Sequence, residues 1–250
     1  MSELEREVTI KRKIVNLLLV GLLAGVVVTA GALASRRVAD PDCTGISIVI
    51  KDSTERQYVS AQELQTVLRQ AGLWQIGEPL SKIRCQDIEQ CMRDHPMIRE
   101  AECHERSTGE VKIYVRQRVP LMRIEGDEHY FVDMDRKVMP IRASVNTPVV
   151  VVSGRIGKQQ ALGEMYDFVY MLSRDRYWRE KIPTVKVTNP KMIELVDAEH
   201  HYMIVLGDLT DAEARMNSLK KLYEKGFEKI GWPNYKQIDL RFANQIVGRK

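Results

Sequence analysis

Three stretches of the chain hold residue types whose spacing invites a chemical reading. In the first, Cys85, Cys91, His95, Cys103 and His104 lie close together in sequence. Thiolates and imidazoles hold zinc when they come in short paired spacings, and these spacings match no closed structural pattern. Cys91 and Cys103 also fall on the apolar sides of a predicted helix and a predicted strand, where a free thiol buries as a small hydrophobe. Buried thiols are the expectation, with one disulfide in this stretch or a metal site as the competing fates. In the second, Gly154-Arg155-Ile156-Gly157-Lys158 resembles a phosphate loop, but Val152 stands where the first glycine belongs and Gln159 replaces Ser/Thr. In the third, His200 and His201 are adjacent, which on a strand sends them to opposite faces; they are poor co-ligands and read as solvated surface histidines.

No G-x-S-x-G, H-E-x-x-H, C-x-x-C or S-x-x-K set with its companions is present. No enzyme, cofactor, metal or small-molecule substrate is therefore expected. Tyr177-Trp178 and Gly231-Trp232-Pro233 carry aromatics that serve as binding anchors in some proteins, and here are expected to close the ends of a core.

Composition sets the frame for these residues. Of 250 residues, 44% are hydrophobic and 29% charged, which excludes both a low-complexity tail and a multi-span membrane protein. Lys and Arg number 38 against 34 Asp and Glu, too balanced for a dedicated nucleic-acid binder. Four cysteines (Cys43, Cys85, Cys91, Cys103) are too few to replace a hydrophobic core with a disulfide scaffold.

The longest uncharged run is Ile14 to Ala34. As a helix it spans roughly 31 Å, the thickness of a bilayer's hydrocarbon core. Lys11-Arg12-Lys13 and Arg6 outnumber Arg36-Arg37 on the other side, so residues 1–13 are expected in the cytoplasm as a short tail, with 14–34 as a single transmembrane helix. Ala32-Leu33-Ala34 also fits a signal-peptidase site, but the run is longer than a usual signal core. Either way the remainder, with all four cysteines, is exported to where disulfides are permitted.

The exported part divides in two. From Ile46, ISIVIKD reads as a strand; Ser60 and Glu63 form a capping box that starts a helix at Ala61, and Gly72 is placed to end it. Ile88, Cys91, Met92 and His95 mark a second helix stopped by Pro96. Two strands follow, Ile98 to Arg106 and Val111 to Val115, around Ser107-Thr108-Gly109. The order strand, helix, helix, strand, strand is that of a small α+β domain with both helices on one face of a three-stranded sheet.

With the His95-Pro96-x-Ile98 corner and Gln117-Arg118-x-Pro120, this stretch resembles a POTRA (polypeptide transport-associated) domain, expected over 46–119. Beyond it come Gly126 to Asp133, Lys137-Val138-Met139-Pro140 and Thr147 to Gly154, then a helix from about Ala161 to Ser173. Strands at Ile193–Val196 and Met203–Leu206 follow, then a helix opened by the capping box Thr210-x-x-Glu213 and ended before Gly226. The closing Tyr235-x-x-Ile238-Asp239-Leu240-Arg241 completes a resemblance to the FtsQ/DivIB family of bacterial cell division, in its Bacteroidetes branch. The implied fold is α+β: a single N-terminal transmembrane helix, a POTRA domain (β-α-α-β-β), and over 120–250 a mixed β domain with two helices. Where the family often has Gly in its first hairpin turn, this chain has Asp135 and Arg136.

The resemblance implies a non-enzymatic scaffold in the inner membrane at the division septum. Its partners would be FtsB- and FtsL-like single-span proteins and, through them, the septal peptidoglycan synthases, with no nucleic acid involved. A strand near the chain's end tends to lie at a sheet edge, open to strand addition. The carried-over candidate is Phe242, Ala243, Asn244, Gln245, Ile246 and Val247, with Phe242, Asn244 and Ile246 on one face. The rival readings are a POTRA protein of outer-membrane assembly or secretion, whose repeats and terminal barrel are not visible, and a secreted hydrolase released after Ala34.

Overall fold

The computed structural model describes residues 16–26, 40–54, 57–145, 147–242 and 245–250. Residues 16–26 are helical (α1), and the side chains of Leu17, Leu22 and their neighbours are exposed. Among the described residues no helix is long and apolar enough to cross a membrane; residues 14, 15 and 27–34 of the expected span, and the tail 1–13, lie outside them.

The first sheet among the described residues has three strands in the order β1-β3-β2. β1 (Gly45–Ile50) runs parallel to β3 (Glu110–Gln117), and β2 (Ile98–Glu105) pairs antiparallel with β3's other edge. Val111, Ile113 and Val115 alternate inward and are fully buried, the period-2 pattern of a strand with one covered face. α2 (Ala61–Gln70) and α3 (Cys85–Asp94) supply that cover through Leu64, Leu68, Ile88 and Met92. Gly72 takes the left-handed conformation at φ 71° that closes α2, as its placement predicts. Half of the expected capping box forms: Ser60 Oγ accepts from the Glu63 N–H at 3.1 Å. The Glu63 carboxylate turns instead to Arg142 and His95.

The second sheet has nine described strands in the order β12-β11-β10-β9-β8-β7-β4-β5-β6. These are β4 (Pro120–Glu125), β5 (His129–Asp133), β6 (Val138–Pro140), β7 (Val150–Gly154), β8 (Thr184–Asn189), β9 (Met192–Val196), β10 (Met203–Gly207), β11 (Gln237–Asp239) and β12 (Val247–Arg249). β4, β7 and β8 run parallel in sequence, as do β10 and β11, and the other pairs are antiparallel. α4 (Lys158–Leu162), α5 (Glu164–Arg174) and α6 (Ala212–Leu222) join this core through Ala161, Met165, Val169, Leu172, Met216 and Leu219.

Several details depart from the sequence reading. The single helix expected over Ala161–Ser173 is two, broken at Gly163, whose ψ of −116° no helix contains. The capping box at Thr210 does not form. Asp211 caps α6 from a left-handed conformation without a side-chain bond, and the Arg215 guanidinium ties the loop through Leu206 O, Asp208 and Thr210 O. Gly226 does not stop the helix; it sits inside a π-helical turn (Tyr223–Phe227), the chain continues into α7 (Glu228–Ile230), and Gly231 at φ 94° makes the stop. β8 carries only Val185 and Val187 on its buried side, too weak an apolar signal to stand out.

The hairpin turn without glycine is solved by side chains. Arg136 takes φ 61°, and its guanidinium lies 4.3 Å over the Tyr166 ring and pairs with Asp167. Asp133, buried at the start of the turn, accepts from the backbone N–H groups of Asp135 and Lys137 at 2.9 and 2.6 Å and from Arg118 Nη1 at 2.8 Å.

β5 joins the two modules. Tyr130 and Val132 face the core of the nine-stranded sheet, whereas Phe131 on the opposite face, with Met139 and Val145, completes the core of the three-stranded sheet. Polar ties surround this contact: Arg142 to Glu63 at 2.6 Å, Ser144 Oγ to the carbonyl of Tyr58 at 3.1 Å, and Arg99 to Asp135 at 2.7 Å.

Candidate partner-docking edge

β12 is the last strand of the nine-stranded sheet, paired on one side with β11 and on the other with nothing among the described residues. The pairing is short, and a buried charge holds it. Asp239 is wholly buried; its carboxylate accepts from Arg241 Nε at 2.9 Å and Nη2 at 2.7 Å, and Arg249 of β12 stands 3.6 Å away. The Arg241 hydrogen bonds outweigh burial and, with the charges of Arg241 and Arg249, hold this carboxyl below the usual aspartate range. One buried anion thus gathers the exit of β11 and the return of β12.

Register follows from the carbonyl of Arg249, which accepts from the Lys236 N–H at 2.8 Å. In an antiparallel ladder a residue's N–H and C=O point to the same side, and neighbours point to opposite sides. Arg249 faces β11, so the backbone of Gly248 faces the open edge. Gly248 also lies flat on Tyr235: a Cβ there would stand 2.6 Å from the ring. Only glycine permits this close approach.

A groove runs beside the edge, lined by Asp211, Ala214, Arg215 and Ser218 of the α6 start and by Arg241, Phe242, Gln245 and Ile246. Phe242 is 46% exposed at its rim. The geometry offers a partner the outward backbone groups of Gly248 and, beside them, a groove in which Ala214, Phe242 and Ile246 alternate with the charged Asp211, Arg215 and Arg241, the two elements of strand addition.

The expected strand Phe242–Val247 is placed differently. Phe242, Gln245 and Ile246 belong to the connection between β11 and β12, the Gln245 N–H bonding the carbonyl of Phe242 at 3.3 Å, and only Val247 lies in β12; Ala243 and Asn244 lie outside the described residues. Gly248, Arg249, Asp239 and Tyr235 were not singled out as site residues, although the Tyr235-to-Arg241 stretch pointed to the region.

The other chemical stretches do not assemble into a site. Cys85 and Cys103 approach each other, but Cys91 lines a separate groove with Val67 and His95, and exposed His104 packs on Tyr114. Among the described residues no group of three or more His, Cys, Asp or Glu side chains converges. Gly154 closes β7 against the Val187 backbone, and Gly157 caps the short α4. His200 and His201 are in a turn, not a strand: His201 is exposed at φ 60°, while His200 is not solvated as expected but stacks on Trp232 with ring centroids 3.4 Å apart. Trp178 is buried in the core.

Residues 119–249 match the family model described as FtsQ/DivIB, C-terminal related, and residues 41–116 match that of a POTRA-like domain. No curated protein matches this chain. The first match covers more than half of the chain and contains the whole nine-stranded sheet, its open edge and its groove, so the chain belongs to the FtsQ/DivIB family of non-enzymatic, membrane-associated cell-division proteins.

Proposed function

We propose that this chain is a divisome scaffold that docks FtsB- and FtsL-like single-span proteins on the outer face of the inner membrane, and through them recruits and regulates septal peptidoglycan synthesis. The observation that carries the reading is the open edge of β12 beside the groove lined by Phe242 and Ile246. A partner strand would add antiparallel or parallel to β12, bonding the outward groups of Gly248, while an apolar side chain or helix flanking that strand fills the groove. The exported topology rests on the apolar run from Ile14 to Ala34 and the basic residues before it.

Two variants separate this edge from an ordinary closing strand. Gln245→Pro removes an N–H already used inside the turn and so disturbs the chain's own connection. Ile246→Pro removes an N–H on the open-edge parity, and is expected to weaken partner binding while the fold stays intact. The direct test is in-cell crosslinking from a photoreactive residue replacing Phe242, with Val49 on the first sheet, 40% exposed, as the comparison position. Small single-span coiled-coil proteins should be trapped at Phe242. Trapping of barrel-assembly components, or of the division partners at Val49 alone, contradicts the proposal.

A further inference from the structure

Cys85 opens α3, and Cys103 lies within β2, the strand on which α3 rests. Two hydrogen bonds fix how they meet. Glu89, one turn beyond Cys85, accepts from the backbone N–H of Cys103 itself at 2.9 Å. Cys85 Sγ in turn reaches Glu105 Oε1 at 3.5 Å, and Glu105 shares the strand face of Cys103. Helix residues 85 and 89 therefore straddle strand residues 103 and 105, and the two thiols interact directly.

The other cysteines are placed elsewhere. Cys43 donates to the carbonyl of Gly45 at 3.7 Å in the segment entering β1. Cys91 is six residues after Cys85 on the same helix, about 240° around its axis, and lines the groove with Val67 and His95.

We propose that Cys85 and Cys103 are the redox-active pair of this chain and form an intramolecular disulfide that staples the start of α3 to β2. The oxidant is an external disulfide, either glutathione disulfide or the disulfide of an exported dithiol oxidoreductase. Cys85, the more exposed thiol, loses its proton and attacks one sulfur, expelling the other as a thiolate and leaving a mixed disulfide. Cys103 then loses its proton and attacks the Cys85 sulfur, releasing the second external thiol. Two protein thiols are oxidised and one external disulfide is reduced to two thiols, with both protons passing to them.

The surroundings suit a structural bond more than a catalytic one. Burial is the first cause that pushes both thiols above their ordinary range; the contact between them lowers Cys85 and raises Cys103, and the neighbouring Glu105 and Glu89 carboxylates raise both, so neither thiolate is favoured. A pair whose reduced form gains nothing from thiolate stabilisation holds its disulfide against reduction.

The test uses the purified full-length chain in detergent, equilibrated with a mixture of reduced and oxidised glutathione, then denatured, alkylated and mapped by mass. It is indifferent to the compartment in which the chain lives, so its failure is separate from that of the scaffold reading. Cleavage after arginine leaves Cys85 and Cys91 on one peptide, so mapping uses cleavage after Glu89 or the Cys91→Ser chain. Alkylation of Cys43 and Cys91 alone, a Cys85–Cys103 linked peptide, and retention of that link in Cys91→Ser are expected. Alkylation of all four cysteines, or a link that involves Cys43 or Cys91, overturns the proposal.

Discussion

At the scale of single residues, buried aspartates do work that sequence patterns hide. Asp133 is 1% exposed and satisfies two backbone donors and the Arg118 guanidinium at once. Asp133→Ala strands that guanidinium against the module junction and is expected to lower stability by about 3–5 kcal/mol, with Asp133→Asn milder at about 1–3 kcal/mol. Urea denaturation of the full chain measures both, and equal stability of all three chains contradicts this assignment. Gly248→Ala drives a methyl group into the Tyr235 ring and is expected to loosen β12 while the main core persists. A rise in amide exchange confined to residues 245–250 is the signature. Neither role was visible beforehand, because a buried Asp and a strand glycine carry no period; their importance comes from what the fold brings against them.

At the scale of elements, apolar periodicity was the most legible signal. β1, α2, α3, β2 and β3 follow the spacing of Ile46, Leu64, Leu68, Ile88, Met92 and Val111 to Val115 closely. What escaped were elements whose ends are set by tertiary contact. Gly163 splits a continuous apolar pattern, and Gly226 is absorbed into a π turn because Tyr223 and Phe227 on either side are both held in the core.

A similar competition changes the capping box of α2, where Glu63 bonds Arg142 Nη1 at 2.6 Å and His95 Nε2 stands at 3.4 Å. Burial raises the Glu63 pKa, but the Arg142 bond and charge, with His95, bring it below its ordinary 4.5; burial lowers His95 below its ordinary 6.5, Glu63 opposing and Arg142 assisting. Both shifts have one sign. His95 is held neutral, so its contribution is full above pH 6.5 and falls away as acidification protonates it; Glu63's is full above pH 4.5 and lost below. The thermal midpoint should therefore fall between pH 7 and pH 5, and fall less in His95→Gln. A midpoint that rises on acidification over that interval contradicts this role of the Glu63, Arg142 and His95 cluster.

At the scale of the whole molecule, the two modules share one boundary in which β5 is buried on both faces. Phe131→Ala empties a site in the first module's core from a strand of the second, and is expected to cost about 3–5 kcal/mol. Because the site lies in both modules, they should still lose structure together, which probes placed at Trp74 and Trp178 would follow. The sequence divides cleanly into an α+β unit and a β-rich unit, but this junction is not legible in it: Tyr130-Phe131-Val132 reads as one apolar run until the second sheet of contacts is known.

The junction at β5 lies near one end of the nine-stranded sheet, and β12 is the strand at the other end. Amide hydrogen exchange of the full chain, with and without the exported segment of an FtsB-like single-span protein, the proposed partner, tests the docking edge most directly. Slowed exchange at residues 245–250 and at the start of α6, with the edges β1 and β2 unchanged, is the predicted result. Slowing at β1 or β2, or binding that leaves residues 245–250 unprotected, would contradict it.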